Sequence, residues 1–184
     1  MSGRVMVGLF SGLNVGGNRK VPMAELRVLL GELGLEGVST HLQSGNTVFR
    51  VGRQTDGEVV RQVEDAFAQR FGFASRAMVR EIGWLRDMVG GNSFPAEEPT
   101  KLHAFVLEHA PAAADVDALA ARNTGSERFL LRGDVLYLWT PEGFGRSKFA
   151  ARIPRDLKVA ATARNWRTVL TLLDMAEAKA AADD

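Results

Sequence analysis

Apolar and polar positions along this chain fall into blocks that switch between strand and helix periods. Residues 5–10 (Val-Met-Val-Gly-Leu-Phe) form a continuous apolar run of strand length, as expected of a strand covered on both faces. From Pro22 the period lengthens. Met23, Leu26, Leu29, Leu30 and Leu33 recur at three- and four-residue spacing, with Pro22 at the first helical position and Gly34 as the stop. Residues 38–42 and 47–51 read as strands around Gly45-Asn46, a two-residue hairpin signal. A second helix spans about 57–71, with Val59, Val60, Val63, Phe67 and Phe71 on one stripe, and residues 74–80 return to a strand. The order predicted is β-α-β-β-α-β.

Residues 81–100 interrupt this order. A short helix on Ile82, Leu85 and Val89 gives way to a stretch holding two glycines and two prolines. The pattern then restarts with a strand over 101–107 and a helix over 112–122. Strands over 127–132 and 135–140 follow, joined by the two-residue turn Gly133-Asp134. A short helix over 147–157 is expected to be interrupted at Pro154. A long one over 164–180 turns Trp166, Val169, Leu170 and Leu173 inward. The expected fold class is α+β: two ferredoxin-like (split β-α-β) units arising from an internal duplication. Residues 1–80 form the first unit, 81–100 a short helix and linker, and 101–184 the second unit with the C-terminal helix.

Composition narrows the function classes. The chain has 184 residues, 46% hydrophobic and 24% charged, as in ordinary globular proteins. A net charge of +1 argues against a polyanion-binding surface spread over the whole molecule, while a local basic patch stays open. The absence of cysteine excludes disulfides, thiolate metal sites and cysteine nucleophiles. No apolar run is long enough to span a bilayer, and the first residues show no signal-peptide pattern. A cytoplasmic chain without a membrane partner is therefore expected. His41, His103 and His109 have no metal-ligand spacing, and neither metal nor cofactor is expected.

Four segments are candidates for chemistry. In the first, Gly12 to Lys20, a glycine-rich basic loop joins a strand to a helix and exposes backbone N–H groups beside positive charge, a seat for an anion. It is not a Walker loop, because Asn18 and Arg19 follow Gly17 where Lys and Ser or Thr are required. The second is Gln43-Ser44-Gly45-Asn46-Thr47, in which Ser44 has no His or Asp partner at a known spacing. The third is Gly143-Phe144-Gly145-Arg146-Ser147-Lys148, with Ser147 as an N-cap. In the fourth, Thr162 caps the last helix and Arg164 and Arg167 fall in its first turn. A cation there is unfavourable by about 0.3–1 kcal/mol, which calls for an internal carboxylate or a bound anion. Each segment also reads as a structural turn with solvated charges.

Three of these stretches together resemble one family. Leu9-Phe-Ser-Gly-Leu-Asn-Val-Gly-Gly with Lys20-Val-Pro-Met is similar to its N-terminal signature. Thr40 to Phe49 resembles its second block. Gly145-Arg-Ser-Lys and Ala161 to Val169 resemble its C-terminal blocks. On these motifs the chain resembles the bacterial family known as domain of unknown function 1697, in order along essentially its whole length. The resemblance implies a duplicated plait of two ferredoxin-like halves and no activity, the family being uncharacterised. Its motif positions fall here on Gly12, Asn14, Gly16, Gly17, Lys20, Ser44, Gly45, Asn46, Ser147, Lys148, Thr162, Arg164, Asn165 and Trp166. One departure is Ser11, where the family usually has Arg; Arg19 is the substitute within reach in sequence.

The candidate ligand-binding residues are thus Asn14, Gly16, Gly17, Lys20, Ser44, Asn46, Ser147, Lys148, Thr162, Arg164 and Asn165. They are rich in donors and poor in carboxylates. They suit a binding protein for an anionic, phosphate-bearing small molecule or nucleic acid. Alternatively they suit an enzyme acting on a small anionic substrate by electrostatic stabilisation, with Arg164 holding the anion. Catalytic residues and oligomeric state are not assigned by the sequence.

Overall fold

Two four-stranded antiparallel sheets organise the chain, which was described from a computed structural model over residues 3–14 and 20–182. The first sheet is centred on β1 (Arg4–Phe10), flanked by β3 (Asn46–Val51) and β4 (Ala77–Glu81), with β2 (Glu36–His41) outermost beside β3. The order β2-β3-β1-β4 is that of a split β-α-β unit, with α1 (Met23–Glu32) and α2 (Asp56–Phe71) as its crossovers. Met6 and Phe10 of β1 and Phe49 of β3 pack against Leu26 and Leu30 of α1 and Val63 and Phe67 of α2. Burying each such side chain contributes about 1.5–3 kcal/mol. Val5, Val7 and Leu9 point to the opposite face and are buried as well, which is why β1 reads as an unbroken apolar run.

The second sheet repeats the topology. β5 (Leu102–Leu107) is central, β7 (Val135–Trp139) and β8 (Ala161–Asn165) flank it, and β6 (Arg128–Arg132) lies outside β7. The crossovers are α4 (Ala113–Ala121) and α5 (Lys148–Leu157), the latter preceded by a 3₁₀ turn over Phe144–Arg146. Phe105, Leu107, Leu136 and Leu138 pack against Leu119 of α4 and Phe149, Ile153 and Leu157 of α5. The protein is therefore α+β with two ferredoxin-like units, as the sequence leads one to expect. Two helices remain, α3 (Ile82–Gly90) and α6 (Trp166–Ala181). The chain divides into two compact units: unit 1, Met1–Asp87 with Leu170–Asp184, and unit 2, Met88–Val169.

Four local expectations are corrected. Pro22 is the N-cap of α1 rather than its first helical residue, with extended φ −64° and ψ 128°. Its ring fixes φ at a value that serves either position. The β2–β3 connection covers residues 42–45, one residue earlier than the strand bounds expected, and Gly45-Asn46 is not a two-residue turn, because Asn46 already belongs to β3, opposite His41. Helix α5 runs on through Pro154 to Leu157. The largest difference is β8, which occupies residues expected to open the last helix. Thr162 and Arg164 are buried on one face, while Ala161 and Ala163 on the other pack partly buried against the unit 2 core, a period of two. The inward stripe of α6 is correspondingly Trp166, Val169, Leu172 and Ala176.

Candidate functional site

In unit 1 the candidate residues tie two loops together. Asn14 is held in the left-handed region (φ 55°). Its side-chain Nδ2 donates to the carbonyls of Gln43 (2.6 Å) and Val21 (3.1 Å), and its Oδ1 accepts from the Val21 N–H at 2.8 Å. Asn46 is fully buried, and its Nδ2 donates to the His41 carbonyl (3.0 Å) and to Ser44 Oγ (2.9 Å). Gly45 closes this clasp at φ 72°. A Cβ there would lie 2.7 Å from both Phe10 Cβ and Leu13 Cδ1, so no larger residue fits. Ser44 is half-buried and Lys20 exposed. Gly16 and Gly17, with Val15, Asn18 and Arg19, lie outside the described residues.

In unit 2 the other candidates separate into two groups. Arg164 sits within β8 opposite Ala104, not in a helical first turn. Its Nη1 donates to Thr162 Oγ1 at 2.6 Å and to the Ala163 carbonyl at 2.9 Å, and burial lowers its pKa to about 10, which leaves it cationic at neutral pH. Thr162 is therefore a buried acceptor rather than a cap. The cap of α6 is Asn165, whose Oδ1 accepts from the Arg167 N–H at 3.0 Å while its Nδ2 donates to the Pro99 carbonyl at 2.9 Å. Ser147 caps α5 as expected. Its Oγ accepts from the Ala150 N–H (2.9 Å) and donates to Glu127 Oε1 (2.8 Å).

Lys148 opens onto a cleft of about 490 Å³ that sequence reasoning only partly located. Arg122, Arg146 and Arg152 line it with Lys148, against Glu127 and Glu142. The first two residues of α5, Lys148 and Phe149, form one wall, which puts the positive end of that helix at the cleft. The four cations outnumber the two carboxylates of the lining, and Glu127 keeps its charge while accepting from Ser147 Oγ. Asn123 also lines the cleft. Its Nδ2 donates to the Glu127 carbonyl, while its buried Oδ1 has no hydrogen-bond partner among the described residues.

The anchor of this cleft is Asp156, whose side chain is 2% exposed. Arg122 Nη1 (3.1 Å), Arg152 Nε (2.7 Å) and Arg155 Nε (3.3 Å) converge on it. Burial opposes ionisation of Asp156. Hydrogen bonds from Arg122 and Arg155 and the charge of Arg152 outweigh that cost and hold its carboxyl below its ordinary value. One carboxylate thus fixes three guanidinium groups while cancelling one positive charge. Sequence signals for this arrangement were slight: Arg152 and Asp156 share the i,i+4 spacing of a helical ion pair, but Arg122 is remote in sequence.

His103 lies elsewhere in unit 2. Its ring stacks on Phe144 with centroids 3.8 Å apart, and its buried Nδ1 has no hydrogen-bond partner among the described residues. Burial lowers its pKa to about 4, so it is neutral at pH 7. Among the described residues, no helix is long and apolar enough to cross a membrane.

Fold and cleft together define a protein of two ferredoxin-like α+β units, the second carrying an arginine-lined cleft along its second crossover helix. The chain belongs to the family described as "Protein of unknown function (DUF1697)", whose model matches residues 4–137 and so ends before α5. Among solved structures it is similar to that of the conserved bacterial protein SP0830 from Streptococcus pneumoniae, at 24% identity and a TM-score of 0.69. The similarity covers 94% of this chain and 98% of that one, and shows a shared fold. No curated protein matches the chain.

Proposed function

We propose that this protein binds a phosphate-bearing anion, a small molecule or a nucleic acid, in the cytoplasm, and that the cleft beside α5 receives it. The observation that carries this reading is the convergence of Arg122, Arg146, Lys148 and Arg152 on one cleft of about 490 Å³. Three of them are arginines, whose planar forks suit phosphate oxygens. Arg146 and Lys148 are exposed and form no ion pair with a described protein carboxylate. The loop around Asn14, Ser44 and Asn46 fits a supporting role, since Asn14 and Asn46 spend their amides on backbone carbonyls. The shared strand order of the two units supports an origin by duplication, with the basic helix confined to the second copy.

The test is a titration of purified, nucleic-acid-free protein with ATP and with a fluorescein-labelled oligonucleotide at low salt. Saturable binding of at least one ligand is expected, weakened about tenfold or more by the double variant Arg146→Ala/Lys148→Ala. No binding of either, or binding indifferent to that variant, overturns the reading.

A further inference from the structure

The geometry points to a nucleic-acid phosphodiester backbone, run along the outer face of α5, as the occupant of this site; the inference rests on the anion-binding reading above. The cleft does not end at Lys148 and Arg152. The same two residues, with Ala151 and Arg155, line a second, shallower trough of about 390 Å³, so the two spaces adjoin along the helix. Lys148, Arg152 and Arg155 stand at i, i+4 and i+7, one stripe of the helix surface. That stripe spans about 10 Å along the axis, the rise of about three phosphates on one strand of a duplex. A single phosphate needs one such cation cluster; a row of them is matched to a repeating charge.

Two features fix what kind of contact this surface makes. First, the guanidinium groups are oriented in advance. Arg152 and Arg155 both spend Nε on Asp156, and their Nη groups have no hydrogen-bond acceptor among the described residues. Pre-orientation lowers the side-chain entropy lost on binding. Second, the aromatic ring at the cleft is not a stacking platform. Phe149 is 6% exposed and packs in the unit 2 core, 5.7 Å from the ring of Phe129. Recognition therefore falls on phosphates and not on bases, and is independent of sequence. The same core packing argues against an anionic membrane as the partner. The apolar face of α5, Phe149, Ala150, Ile153 and Leu157, is buried in unit 2 and has nothing to insert into lipid.

Fluorescence anisotropy with labelled 20-nucleotide strands tests the inference, with ATP and phosphatidylserine vesicles as competitors. Three results are expected. The 20-mer binds at least tenfold more tightly than ATP. Two unrelated base sequences bind within threefold of each other. The plot of log K against log salt has a slope of about −2 to −4, as three or four phosphate contacts require. Arg155→Ala, a change at an exposed side chain, reduces the magnitude of that slope by about 0.7–0.9. ATP binding as tightly as the 20-mer overturns the backbone inference while leaving the anion-binding reading intact. Vesicles that displace the strand, a flat salt plot, or an unchanged slope in Arg155→Ala also overturn it. Loss of binding to every probe removes both.

Discussion

The second crossover helix of each unit occupies the same place in the same topology, yet α2 and α5 carry opposite charge. Helix α2 holds four acidic residues and two arginines. Helix α5 holds Lys148, Arg152 and Arg155 against the single Asp156. Their N-termini differ in the same sense. Thr55 and Glu58 form a capping box at α2, and Asp56 and Glu58 complement its dipole. At α5, Ser147 supplies the cap, but the first turn has a lysine and no acid. Both helices bury an apolar face, so the fold does not require the difference. A local rule obeyed in one copy and broken in the other marks the second as the place where something besides folding is served.

The largest contrast between the units is expected in acid. The lowered pKa of His103 means that the unfolded chain takes up its proton first. Its contribution is fully present above pH 6.5 and is lost as pH falls toward 4. With some allowance for partial exposure, the loss amounts to about 2–3 kcal/mol at pH 4. Urea melts at pH 7 and pH 4 measure it, and His103→Gln is expected to remove most of the difference; an equal drop in the variant contradicts the assignment.

Charge reversal sharpens the comparison of the helices directly. Arg146→Glu with Lys148→Glu is expected to weaken oligonucleotide binding about a hundredfold, about 2.7 kcal/mol. Asp65→Lys, at an exposed position of α2, is expected to change it less than threefold. Equal effects at the two sites erase the distinction.

The hairpins offer a third contrast. Gly45 (φ 72°) and Gly133 (φ 57°) both turn in the left-handed region. A Cβ at Gly45 meets Phe10 Cβ at 2.7 Å, whereas one at Gly133 meets nothing within 4 Å. Gly45→Ala is therefore expected to cost about 2 kcal/mol more than Gly133→Ala in thermal or urea denaturation. Equal losses would place the whole penalty in the backbone conformation.

The smallest contrast concerns the caps. Thr55→Ala and Ser147→Ala are each expected to cost about 1 kcal/mol. Because the Ser147 hydroxyl is occupied by the Ala150 N–H and Glu127, its loss is expected to change ATP or oligonucleotide affinity less than threefold. A larger drop would make Ser147 a direct ligand.

Periodicity made most of the fold legible. The runs in β1, α1 and α2 have one burial pattern each, and the pattern identifies the element. It failed at β8 because Ala161-Thr-Ala-Arg-Asn has Thr162 as its one β-branched residue and no aromatic, and adjoins the helical stripe of α6. Its pairing with β5 across a long sequence separation decides the matter, and no local window contains that. The hairpin at Ser44 lies one residue earlier than its strand pattern suggests: Gly-Asn has the chemistry of a two-residue turn, while the Asn46 side chain organises a four-residue one from within β3. Of the cleft lining, sequence reasoning reached Arg146 and Lys148, which share one glycine-containing segment. It did not reach Arg122, Arg152 and Arg155, which come together only through a buried carboxylate.

Chemical-shift mapping of the isotopically labelled protein with an unlabelled 20-mer tests most directly where the ligand lies. Perturbations concentrated on Arg122, Arg146, Lys148, Arg152 and Arg155, with α2 silent, are the expected outcome. Perturbations centred on Lys20 and residues 42–46, with α5 unmoved, would contradict it.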